Sequence, residues 1–138
     1  MPVELACHNG IGPAVSGIAL VAPDDFSARY DLDRLAGVFS RPTHRLFGQS
    51  YVGKVLVLNT AKGGVASAWM LHEMKSRALA PAALVFNRAN PILAQGAALA
   101  GMTLVDRFAG DVTALIATGD EVEVDPTRGV VTILRRAS

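Results

Sequence analysis

Apolar and polar positions fall into blocks along this chain, and the blocks predict a strand-rich α/β fold. Val3 to His8 and Val15 to Ala22 read as short strands, separated by the turn-forming run Asn9, Gly10, Ile11, Gly12 and Pro13. Pro23 to Tyr30 is a polar connection, and the weak periodicity of Asp31 to Phe39 fits either a short helix or an irregular loop. Arg41 to Ser50 carries Pro42 and Gly48 and reads as a loop leading into a central strand; such irregular approaches often line a site.

The strongest block is Gly53 to Trp69. Val55, Leu56, Val57 and Leu58 form a continuous aliphatic run, the pattern of a strand buried on both faces. Asn59, Thr60, Ala61, Lys62, Gly63 and Gly64 then make a turn in which paired glycines permit positive φ and small side chains admit a ligand. A helix is expected from about Val65, with Val65, Trp69, Leu71 and Met74 as its apolar positions. Its first turn directs unpaired N–H groups at the turn, which suits a carboxylate or phosphate, with Lys62 as a point charge. Lys62 precedes the glycines, so this is not a Walker A loop, and the dinucleotide fingerprint GxGxxG is also absent. A turn that uses glycine for packing alone is the other reading.

Further along, Ala82 to Phe86 is a second buried strand ending at Asn87, and the strand-helix-strand order implies a parallel pair. Pro91 marks the first turn of a small-residue helix through Gly101, and Met102 to Val105 is a third short strand. Glu121 to Asp125 and Gly129 to Leu134 alternate and are joined by Pro126, Thr127 and Arg128, the pattern of a β-hairpin. Residues 1–138 thus read as a single domain of mixed α/β class.

Composition narrows the function classes. At 138 residues and 51% hydrophobic content the chain holds one core. A net charge of +1 with scattered basic residues argues against nucleic acid as a partner. No apolar run approaches the roughly 20 residues of a membrane span, and no signal peptide is visible, so a cytoplasmic location is expected. The lone Cys7 excludes an internal disulfide and cannot by itself hold an iron–sulfur cluster or structural zinc. His8 and His72 lack metal-ligand spacing, and His44 reads as a structural hydrogen-bond partner. Trp69 is expected to pack or to anchor a subunit interface, and Asp120 and Asp125 to be turn and edge residues. The 18% charged content and 13 glycines suggest apolar surface covered by another chain, or a homo-oligomer when the chain is isolated.

The motifs HRLFGQS (His44 to Ser50), GKVLVLNTAKGG, ALVFNRANPILAQGAALAGMTLVD (Ala83 to Asp106) and GDEVEVDPTRGVVTI occur in an order that resembles the swivel domain of the aconitase superfamily. The resemblance is closest to the small subunits of aconitase X type dehydratases, a group that includes those of phosphomevalonate dehydratase and cis-3-hydroxy-L-proline dehydratase. It implies a swivelling β/β/α domain with mostly parallel central strands, flanking helices and a C-terminal hairpin. It also implies a hydro-lyase acting on a small hydroxy acid at the interface with a large subunit that carries the iron–sulfur cluster, this chain binding no cofactor itself. A non-catalytic swivel module that binds a small anion or a partner protein is the alternative.

Within that reading Thr60, Lys62, Gly63, Gly64, Asn87 and Arg88 are the substrate-binding candidates. Asn87 and Arg88 sit at a strand end, and Arg88 is suited to clamp a carboxylate. Related turns continue with serines, one expected to accept the substrate proton, where direct alignment here places Gly64 and Val65. Ser67, three residues further on, is the hydroxyl nearby and the catalytic candidate. In the assembled enzyme Ser67→Ala is expected to lower turnover by about 10²-fold or more; undiminished turnover rules the assignment out.

Overall fold

The computed structural model describes residues 3–27, 31–62 and 65–137. Its elements in order are β1 (Val3–Ala6), β2 (Val15–Val21), β3 (Leu32–Asp33), β4 (Val38–Phe39), β5 (Val55–Thr60) and α1 (Val65–Ser76). There follow β6 (Ala83–Arg88), α2 (Pro91–Ala100), β7 (Thr103–Val105), α3 (Val112–Leu115), β8 (Glu121–Asp125) and β9 (Val130–Arg135). Seven strands form one sheet in the order β1-β9-β8-β2-β5-β6-β7. The first two predicted strands do not pair with each other: β1 lies against β9, and β2 against β8 and β5.

Strand β2 joins two kinds of sheet. Val15 to Ile18 pair antiparallel with β8, whereas Ala19 to Val21 pair parallel with β5. Its burial changes at the same place, from alternation in the first half to consecutive buried residues at Ala19 and Leu20, as expected when one face of an antiparallel ribbon is solvated and the parallel region is covered on both. Gly17 lies at this handover, where a Cβ would stand 3.2 Å from the Gly53 carbonyl oxygen and 3.4 Å from Val55 Cγ2. The strands are close enough there that a side chain would have to displace its neighbours.

The unbroken aliphatic run of β5 follows from covering both faces. Leu56 and Leu58 point into a core shared with Leu84, Phe86, Phe26, Leu71 and Met74 of α1, and Leu93 and Ala97 of α2. Val55 and Val57 point the other way, toward Val85, Val105, Val112, Ile116, Val122 and Val131. Helix α2 is bounded as its sequence requires. Asn90 Oδ1 accepts from the Leu93 N–H at 2.7 Å, Pro91 opens the first turn, and Gly101 closes the helix in the left-handed region at φ 70°.

Three expectations need correction or completion. The Asp31 to Phe39 segment is neither helix nor plain loop but a two-stranded ribbon, β3 against β4. Trp69 does not pack into the described core: it is 69% exposed and stacks on His72, whereas Leu71 and Met74 of the same helix are buried. Asp125 is the turn residue expected, accepting from Arg128 N, whereas Asp120 is a buried hub. Its carboxylate accepts from the N–H groups of Ala117 and Ala137 and from Arg136 Nη1 at 2.9, 2.8 and 3.1 Å.

Burial alone would push the Asp120 carboxyl up, but those donors outweigh it and hold it below the ordinary carboxylate range. A group with a lowered folded-state pKa contributes stability above its unfolded value and loses it as pH falls through the folded one. Asp120→Ala is therefore expected to cost about 2–4 kcal/mol at neutral pH, by urea unfolding, with the difference from wild type shrinking in acid.

Candidate active site

The site is built where the chain leaves the carboxyl ends of β2 and β5, the edge of a parallel sheet at which ligands bind. The two exits run side by side. Phe26 bridges Ala61 in parallel register, the Phe26 N–H donates to Thr60 O at 2.9 Å, and the Lys62 N–H donates to Phe26 O at 2.7 Å. Asp25 locks the pair. Its Oδ1 accepts from the Thr60 hydroxyl at 2.6 Å, from Thr60 N at 3.3 Å and from Asn59 Nδ2 at 3.2 Å, while Oδ2 lies 3.3 Å from Lys62 Nζ. The Thr60 hydroxyl above all, helped by Lys62 and the Thr60 N–H, holds the Asp25 carboxyl below its ordinary range against the opposing effect of burial.

An open cavity of about 280 Å³ lies against these exits. It is lined by Asp24, Asp25, Phe26, Ser27 and Lys62 together with Asp31, Arg41, Thr43 and His44. Each carboxylate faces a cation: Asp24 lies 3.1 Å from Arg45 Nε, Asp25 pairs with Lys62, and Asp31 lies 3.2 Å from Arg41 Nη1. His44 contributes structure. Its Nδ1 accepts from Leu46 N at 3.1 Å, leaving Nε2 to donate to Asp25 O at 3.2 Å, and the ring stacks on Phe39.

Comparison with known proteins agrees with this fold. The sequence profile of the aconitase X swivel domain matches residues 4–133. The chain belongs to the aconitase X swivel family. Among its relatives is the phosphomevalonate dehydratase small subunit of Methanothrix thermoacetophila, 33% identical over 131 residues, covering 95% of each chain. The protein of the same name from Methanopyrus kandleri is 34% identical over 125 residues, covering 91% of this chain and 93% of its own. The crystal structure of Thermococcus kodakaraensis aconitase X in its holo-form superposes with a TM-score of 0.89 at 27% identity, over 96% of this chain and 99% of that one.

In this swivel domain the residues singled out from sequence take different places. Lys62 lines the cavity, its side chain 68% exposed. Thr60 stands behind Asp25, outside the cavity lining. Asn87 is committed to structure: its Nδ2 donates to Asn59 Oδ1 at 3.0 Å and Asp111 Oδ1 at 2.8 Å, and its Oδ1 accepts from Val112 N at 2.8 Å. Arg88 is exposed opposite Thr60 on the paired strand and does not line the cavity. Gly63 and Gly64 lie outside the described residues. Ser67 falls in the first turn of α1, its side chain likewise outside the description.

Asp24, Asp25, Ser27, Asp31 and Arg41 were not singled out. Asp24 and Asp25 carried a signal, since they follow an apolar strand as the glycine turn does. The chain's donors do not fit an iron–sulfur cluster: the single thiol, Cys7, is pushed up to about 11 by burial and then by Asp106, and the described residues contain no group of three or more metal-ligating side chains.

Replacing the Thr60 hydroxyl by a methyl tests the Asp25 tie. Thr60→Val is expected to move the Asp25 carboxyl titration to higher pH, followed by its carboxyl carbon resonance, and with it the pH below which the tie is lost. An unmoved titration shows that Thr60 does not hold Asp25.

Proposed function

We propose that this swivel domain is the small subunit of a heteromeric hydro-lyase that dehydrates a small hydroxy acid at an interface with a larger, iron–sulfur-bearing subunit. One observation carries the reading: the cavity at the strand ends is polar, opens to solvent and presents Lys62 at its wall. Removing a proton next to a carboxylate builds negative charge that must be stabilised and shielded from water. This chain supplies one side of such an enclosure, and a second chain closing on it would supply the other. Family membership and relatives named as dehydratase small subunits support the same class of reaction.

The residues of this chain then divide the work. Lys62, kept in place by Asp25, offers a donor and a positive charge to the substrate carboxylate. Gly63 and Gly64 permit close approach by their lack of side chains, and Ser67 at the start of α1 is the hydroxyl assigned to the proton. Arg88, exposed at the end of β6, is available to a second anionic group once the cleft closes.

Anaerobic affinity purification of the full chain from its source cells tests the assembly. The expected result is stoichiometric recovery of a larger, cysteine-bearing chain with iron–sulfur absorption and dehydration of a hydroxy acid. Recovery of this chain alone, colourless and without turnover, overturns the subunit reading and favours a module that only binds a small anion.

A further inference from the structure

Around the cavity, Ser27 is bonded in its backbone but not in its side chain. Its N–H donates to Asp31 Oδ2 at 2.8 Å. Its hydroxyl has no hydrogen-bond partner among the described residues, although the residue is only 7% exposed. Asp31 is 2% exposed, and its Oδ1, which accepts no hydrogen bond among the described residues, is paired with Arg41 Nη1 at 3.2 Å. Buried polar atoms left unpaired are destabilising, and native structures retain few of them. Here the Ser27 hydroxyl is one, on a residue that lines the cavity. Another such atom among the described residues, the Tyr51 hydroxyl, belongs to a residue outside that lining.

The neighbours make the pair chemically specific. Phe26 bridges Ala61, which sets Ser27 beside Lys62 at the cavity wall. Asp31 uses one carboxylate oxygen to fix the Ser27 backbone and the other to pair with Arg41, and Ser27, Asp31, Arg41 and Lys62 all line the same cavity. We propose that Ser27 is a ligand-contacting residue, its hydroxyl donating to an anionic oxygen that faces Lys62 and Arg41, while Asp31 Oδ1 accepts from a hydroxyl of the same ligand. Asp31 is thereby also the positioning residue for Ser27. The assignment rests on reading this cavity as the substrate-facing side of the domain, and it gives specificity to a residue remote from the glycine turn.

The test uses the full chain and its Ser27→Ala variant, titrated with L-malate, succinate and inorganic phosphate while backbone amide resonances are followed. L-malate is expected to move the Ser27 and Lys62 amides and to bind about tenfold more tightly than succinate, which lacks the hydroxyl. Ser27→Ala is expected to weaken L-malate about tenfold while its melting temperature equals or exceeds that of wild type, since an unpaired buried hydroxyl has been removed. A lowered melting temperature overturns the proposal by showing that the hydroxyl has a partner within the fold. So does L-malate affinity unchanged by the substitution, absence of any shift at Ser27, or phosphate binding more tightly than L-malate. A chain that passes these tests but assembles with no larger subunit overturns the dehydratase reading alone.

Discussion

The structure depends on seven residues of β2 joining the antiparallel and parallel halves of one sheet. Val15 to Ile18 carry the antiparallel ribbon of β8, β9 and β1, and Ala19 to Val21 carry the parallel group β5, β6 and β7. The switch brings the end of β2 alongside the end of β5, although 33 residues separate Val21 from Val55 by sequence position. No local propensity produces that neighbourhood. It follows from the pairing of two buried apolar strands whose other neighbours are already taken.

Once the exits are adjacent, a single carboxylate organises them. Asp25 gathers the Thr60 hydroxyl and N–H, the Asn59 amide and the Lys62 ammonium group, so the turn after β5 is oriented from the segment after β2. Asn87 performs a similar service further along the sheet edge, tying Asn59 to Asp111 and the start of α3. This edge of the sheet is thus laced by side chains running across the strands, and the exposed Lys62 side chain is tied to it through Asp25. Such preorganisation lowers the cost of ordering a charged side chain when a ligand arrives.

Legibility from sequence divided along physical lines. Strands β5, β6 and β7, helices α1 and α2, and the β8–β9 hairpin were readable because each is long or bounded by a strong signal: the Val55 to Leu58 run, Asn90-Pro91, Gly101, and Pro126 to Gly129. The β3–β4 ribbon was not, since strands of two residues leave no period. For Trp69 the sequence left packing and a subunit interface open, because hydrophobicity does not reveal whether a partner from the same chain covers it, and its exposure removes the first. Asp120 was read as a surface turn because its three donors come from Ala117, Ala137 and Arg136, on both sides of the hairpin. Among the residues lining the cavity, Lys62 could be singled out from the turn in which it sits, whereas Asp25, Ser27 and Asp31 belong to another segment that only tertiary pairing brings near.

The placement of β1 governs the order in which the molecule can be completed. Its register runs from Val3 against Ile133 to Ala6 against Val130, so the first strand of the domain lies against the last. On a ribosome, β5, α1, β6, α2 and β7 emerge as neighbours in sequence and in space, and can consolidate while synthesis continues. Val3 to Ala6 must wait, exposed or loosely held, until Val130 to Arg135 has left the exit tunnel. A chain cut off before β9 would therefore lack the partner of its leading strand and leave that strand's edge, and that of β8, open to pairing with another chain.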